Sequence, residues 1–167
     1  SFGLLTIVGY KLALYTGTAG FIRKNELGQL ALILAGNIAG CLIVALIARV
    51  SPMDIQGAAQ KLLELRLRTG ALNCGLLGIG CGFMMTTSVA FARKQNYLPL
   101  LFAVPLFIVC GFTHCVADAF YYLCVPIAFW KAHFLQILAV YICIVIGNLI
   151  GCNLYRIILH KTSYENI

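Results

Sequence analysis

Polar residues in this chain come in short clusters between long apolar runs, which are too continuous for the alternating strands or one-sided helices of a water-exposed domain. Five apolar segments stand out, at about residues 2–22, 27–48, 69–92, 97–129 and 133–159. At ~1.5 Å of rise per residue most of them reach across a ~30 Å hydrocarbon core, which predicts an all-α integral membrane protein with one membrane domain. The connectors are short and basic: Arg23, Lys24 and Glu26, then Arg93 and Lys94, then Lys131 and His133. The connector 49–68 differs, because Arg49, Asp54, Lys61, Glu64, Arg66 and Arg68 alternate with Leu62, Leu63, Leu65 and Leu67. That mixture predicts an amphipathic helical lead-in to the third segment.

Composition supports the same class, with 62% hydrophobic and 10% charged residues and a mean hydropathy of +0.95. The net charge of +7 needs no nucleic-acid partner, since the basic residues flank apolar runs as they do at membrane interfaces. If the five spans alternate, Arg23/Lys24, Arg93/Lys94 and the tail with Arg156 and Lys161 share one side, which predicts a multi-pass protein of the cytoplasmic membrane with its C-terminus inside. The eight cysteines stand singly within apolar runs, without a CxxC pair, so neither a disulfide scaffold nor a resident metal or other cofactor is expected. No Ser/His/Asp constellation, HExxH or paired carboxylate argues for an enzyme.

An internal repeat sharpens the architecture. Gly36-Asn37-Ile38-Ala39-Gly40-Cys41 in the second segment returns as Gly147-Asn148-Leu149-Ile150-Gly151-Cys152 in the fifth. If these segments correspond, so do the first and fourth, and the third requires a counterpart ahead of residue 1. The expectation is an intact protein of three plus three spans, whose halves are that preceding span with 1–50, and 69–159. An odd number of spans per half forces opposite orientations and places permeation at the pseudo-symmetric interface.

Polar groups inside the spans fall at matching places. Lys11-Leu12-Ala13-Leu14-Tyr15-Thr16-Gly17-Thr18-Ala19-Gly20 gathers glycines and threonines in the first span, and Gly111-Phe112-Thr113-His114-Cys115-Val116-Ala117-Asp118 surrounds a histidine in the fourth. Both predict broken helices, and paired breaks in inverted halves mark a substrate site. The glycines at small-xxx-small spacing (Gly36/Gly40, Gly147/Gly151) permit close helix approach, and Asn37 and Asn148 bridge helices or cap broken ones.

These residues resemble the formate/nitrite transporter family. Leu14-Tyr15-Thr16-Gly17 is similar to its Leu-Phe-Thr-Gly interruption, and Gly111-Phe112-x-His114-x-Val116-Ala117-x-x-Phe120 to its Gly-Phe-Glu-His-x-Val-Ala-Asn-Met-Phe signature. Both Gly-Asn-x-x-Gly elements and Asn73 fit as well, and the resemblance runs from the family's second span to its sixth. Thr113 stands where the family has Glu and Asp118 where it has Asn. Lys61 is the nearest candidate for the family's vestibule lysine. The resemblance implies an aquaporin-like inverted-repeat fold, a pentamer with one pore per protomer, and small monovalent anions such as formate, nitrite or hydrosulfide as permeants.

Moving a bare carboxylate-sized anion into low dielectric carries an idealised cost of about 20 kcal/mol, so an apolar constriction excludes it unless it is paired or neutralised. His114 can donate a hydrogen bond or a proton, with Thr16 offering a hydroxyl from the other half. Leu14 and Phe107 are candidates for apolar rings along the path. Two rival readings stay open. Cys110, His114 and Asp118 recur every four residues and would share one face of a continuous helix, which suits a soft-metal cation transporter. A pore for neutral solutes would use the same fold.

Overall fold

The computed structural model describes residues 2–21 and 24–164. Arg23, together with the side chains of Lys24, Arg156 and Lys161, on which the expected orientation in part depends, lies outside what is described. The described residues form helices α1 (Phe2–Gly9), α2 (Tyr15–Thr18), α3 (Leu27–Ala48), α4 (Ile55–Thr69), α5 (Ala71–Arg93), α6 (Leu98–Val109), α7 (Cys115–Cys124) and α8 (Ile127–Tyr164), with a 3-10 turn at Lys24–Glu26 before α3. Among the described residues, three helical stretches are long and apolar enough to cross a bilayer: Leu27–Ala48, Ala71–Arg93 and Ile127–Leu154.

Local chemistry explains the boundaries. Asp54 caps α4, its carboxylate accepting from the Gly57 N–H at 2.8 Å, and so satisfies one of the donors a helix start leaves open. Gly70, at φ 83°, separates α4 from α5, so the amphipathic connector is a helix of its own ahead of the third span. Pro99 lies in the first turn of α6, where the missing N–H costs nothing. The last helix begins at Ile127, ahead of the apolar run at 133–159, and kinks at His133 (φ −125°). The Trp130 indole ties this first part of α8 to the Tyr122 carbonyl of α7 at 2.7 Å.

The centre of the molecule is the contact between α5 and α8. A Cβ on Gly147 would overlap the Gly75 carbonyl, and one on Gly151 the Ile79 carbonyl. The two backbones therefore touch, as small residues allow between membrane helices. The repeat partner of this glycine pair is treated differently. Gly36 and Gly40 of α3 have nothing within 4 Å of a built Cβ, and the buried residues of α3 are Leu30 and Ala45. Large apolar side chains face outward around the molecule, among them Leu32 (73% exposed), Phe102 (65%) and Leu135 (77%), a surface suited to lipid or other apolar partners rather than to water.

Candidate permeation site

Breaks separate α1 from α2 and α6 from α7. Between α1 and α2 the chain turns through Lys11 at φ 55°, and between α6 and α7 through Gly111 at φ 68°. In each, the residue after this left-handed position donates its N–H five residues back, Leu12 to Ile7 at 2.8 Å and Phe112 to Phe107 at 3.0 Å. This closes the helix as a Schellman turn. Each break then runs out in extended backbone, at Leu14 (φ −113°, ψ 134°) and His114 (φ −126°, ψ 114°), before the next helix starts.

The repeated asparagines hold these breaks in the same way. Asn37 Oδ1 accepts from the Tyr15 N–H at 3.0 Å and its amide donates to the Ala13 carbonyl at 3.2 Å. Asn148 Oδ1 accepts from the Cys115 N–H at 2.8 Å, and its amide donates to the Thr113 carbonyl at 3.0 Å and the Gly78 carbonyl at 2.9 Å. Backbone groups freed by the breaks would otherwise go unpaired in hydrocarbon. Replacement of Asn148, which is fully buried, by the similarly sized Leu is expected to lower stability by about 3 kcal/mol or more, because three buried partners lose their bond together. Asn37→Leu, at a half-buried site with two bonds, should cost clearly less. Thermal unfolding of the purified variants in detergent measures the difference.

Where the two breaks meet, His114 Nε2 lies 2.9 Å from Thr16 Oγ1. The other ring nitrogen, Nδ1, accepts from the Ala117 N–H at 3.1 Å and caps α7. An accepting Nδ1 carries no proton, so in the neutral ring Nε2 holds it and donates to the Thr16 hydroxyl. Phe107 stacks on the imidazole, with ring centroids 5.7 Å apart and planes inclined by 23°. The Thr16 carbonyl in turn accepts from Thr86 Oγ1 and Cys152 Sγ, both at 3.1 Å, which fixes the threonine from behind.

His114, Phe107 and Leu14 line a mostly apolar cavity of about 540 Å³ that also touches Leu4, Ile7 and Met85. A second cavity, of about 330 Å³, is bounded by Lys11, Arg93, Thr18 and Gly17. Leu14, with Leu4 and Ile7, lines both. One cavity is thus histidine-bearing and the other basic, and a leucine stands between them.

Residues 1–161 match the family described as formate/nitrite transporter. The chain belongs to that family. Among solved structures it is similar to a pentameric formate channel with formate bound, at 19% sequence identity and a TM-score of 0.77, over 97% of this chain and 79% of that one. At that identity the likeness establishes the fold, an all-helical one consistent with an aquaporin-like inverted repeat. Comparison with curated proteins gave no match. Membership in the formate/nitrite transporter family makes this a multi-pass membrane transport protein and not an enzyme.

The structure brings His114, Leu14, Phe107 and Gly17 to the walls of the two cavities, with Thr16 fully buried and bonded to His114, and leaves other candidates away from them. Thr113 is fully buried and turns into α5, donating to the Cys74 carbonyl at 2.7 Å. Tyr15 is buried against α8, with its hydroxyl on the Val145 carbonyl at 3.3 Å. Asp118 is buried beneath His114, Lys61 is on the exposed face of α4, and Asn73 is exposed on α5, donating to the Thr69 carbonyl. The metal reading fails on geometry. The break between α6 and α7 takes Cys110 off the face that carries Asp118, and Cys110 is exposed. Among the described residues no group of three His, Cys, Asp or Glu side chains could hold a metal ion.

Two features escaped sequence reasoning. The basic residues of the smaller cavity are Lys11, which heads the first broken-helix stretch, and Arg93, which reads as a span-flanking charge. Arg66 is buried and bonded to the second break, although it reads as one more charge of an amphipathic helix. Its signal was spacing: Ala59, Leu63 and Arg66 are the buried residues of α4, and the intervals of four and three put them on one helical stripe.

Proposed function

We propose that this protein passes small monovalent anions of the formate, nitrite and hydrosulfide type, or their conjugate acids, between the two cavities past Leu14. The observation that carries this reading is the imidazole of His114, which lies on the wall of an apolar cavity and is hydrogen-bonded across the pseudo-symmetry to Thr16. Lys11 and Arg93 attract the anion into the smaller cavity, where its charge is still partly solvated. Beyond Leu14 the surroundings are apolar, and desolvation makes a bare anion too costly. There desolvation favours protonation of the permeant from the aqueous side, and the Nε2–H of His114 hydrogen-bonds it as it crosses with neutral-acid character. In keeping with the similar formate channel, the protein assembles as a pentamer of one-pore protomers in the cytoplasmic membrane, with its C-terminus inside.

Flux into proteoliposomes carrying the full chain tests the reading. Formate, nitrite and hydrosulfide should enter faster at lower external pH, lactate more slowly for its size, and glycerol no faster than into protein-free vesicles. Glycerol entry equal to that of formate would favour a neutral-solute pore instead.

A further inference from the structure

The most heavily bonded charged groups near the candidate site are Arg66 and Asp118, and the conduction scheme above uses neither. The Arg66 guanidinium reaches from α4 into the second break. Its Nε donates to Asp118 Oδ1 at 3.1 Å, Nη1 to the Gly111 carbonyl at 3.0 Å and Nη2 to the Phe112 carbonyl at 3.4 Å. The second carboxylate oxygen of Asp118 accepts from the His114 N–H at 2.9 Å. Both side chains are nearly inaccessible, at 10% and 1% exposure. Together they tie down the three consecutive backbone groups that lead to the cavity-lining imidazole. The first break has its asparagine but no such clamp among the described residues.

A buried carboxylate one hydrogen bond from the His114 backbone would repel any anion brought to the imidazole. A buried guanidinium in the same place would attract one, because it keeps its charge at every accessible pH. Set side by side they cancel. We propose that Arg66 and Asp118 form a charge-balanced positioning pair that fixes His114 and sets how strongly its cavity favours an anion. The inference rests on the conduction reading above and adds to it a determinant of permeant charge that lies outside the cavity wall.

The two residues should therefore act with opposite sign, whereas a clamp with a merely structural role would lose function from either side. Asp118→Asn keeps an acceptor for the His114 N–H while leaving Arg66 uncompensated. Formate flux at neutral pH should rise, by about threefold or more. Arg66→Met removes the cation and frees the two carbonyls, and flux should fall by about tenfold or more. In the double variant Arg66→Met/Asp118→Asn, flux should recover above the Arg66→Met value, since no net charge remains. Size-exclusion profiles in detergent report whether each variant keeps its assembly. Equal losses in Asp118→Asn and Arg66→Met, in a parent that conducts formate, would overturn this inference and leave the conduction reading standing. A parent that conducts no small anion would overturn both.

Discussion

Formate flux through His114→Asn is expected to be about a hundredfold slower than through the parent. Asparagine is chosen because His114 has two separable tasks. Its Nδ1 caps α7 through the Ala117 N–H, and asparagine is among the best residues for that position, so the second break should survive. Its Nε2 faces Thr16, and there the shorter asparagine leaves no ring N–H. A loss of flux in an intact protein then belongs to the missing Nε2–H donor and not to collapse of the break. The size follows from energetics: a buried polar partner left without its donor costs about 3 kcal/mol, or about two decades in rate. Stopped-flow measurement decides the matter, and a variant whose flux matches the parent's would remove the histidine from the mechanism.

The breaks and their keepers were legible because their chemistry is local. Threonine, glycine and asparagine inside an apolar run have few reasons to be there except to unwind a helix or to satisfy what unwinding exposes. The motif that recurs at Asn37 and Asn148 carries equivalent hydrogen bonds in both halves. What local chemistry could not reveal was which residue takes the strained turn. Gly111 advertises a left-handed conformation, but its equivalent is Lys11, a residue type seldom found there. Nor could it tell inward from outward along a span. Thr113 and Asp118, which stand beside His114 in sequence and depart from the family's residues, point to α5 and to Arg66 instead of the cavity. Once the helix breaks, the 3.6-residue period no longer carries across it, and neighbours in sequence diverge in space.

The same reasoning explains why two copies of one motif predict different outcomes. Gly147→Val and Gly151→Val are each expected to prevent recovery of a folded protein, or to lower its unfolding temperature so far that it aggregates on purification. At Gly151 even a methyl would overlap the Ile79 carbonyl and lie 2.9 Å from the Phe83 nitrogen, and at Gly147 it would overlap the Gly75 carbonyl. These obstacles are backbone atoms, so no rotamer change relieves them, and α5 and α8 must part. Overpacking of this kind costs about 3 kcal/mol or more, and here it does not stay local. Asn148, between the two glycines, would be drawn from the Gly78 carbonyl and from the break it holds at Thr113 and Cys115. Gly40→Val overlaps no atom of the fold described, because the space beside Gly40, at the edge of the His114 cavity, is open. Any stability it loses in the assembled protein therefore measures what packs on that face of α3. Expression yield and size-exclusion profiles of the three variants, compared side by side, separate a motif filled by its own chain from one that the chain leaves uncovered.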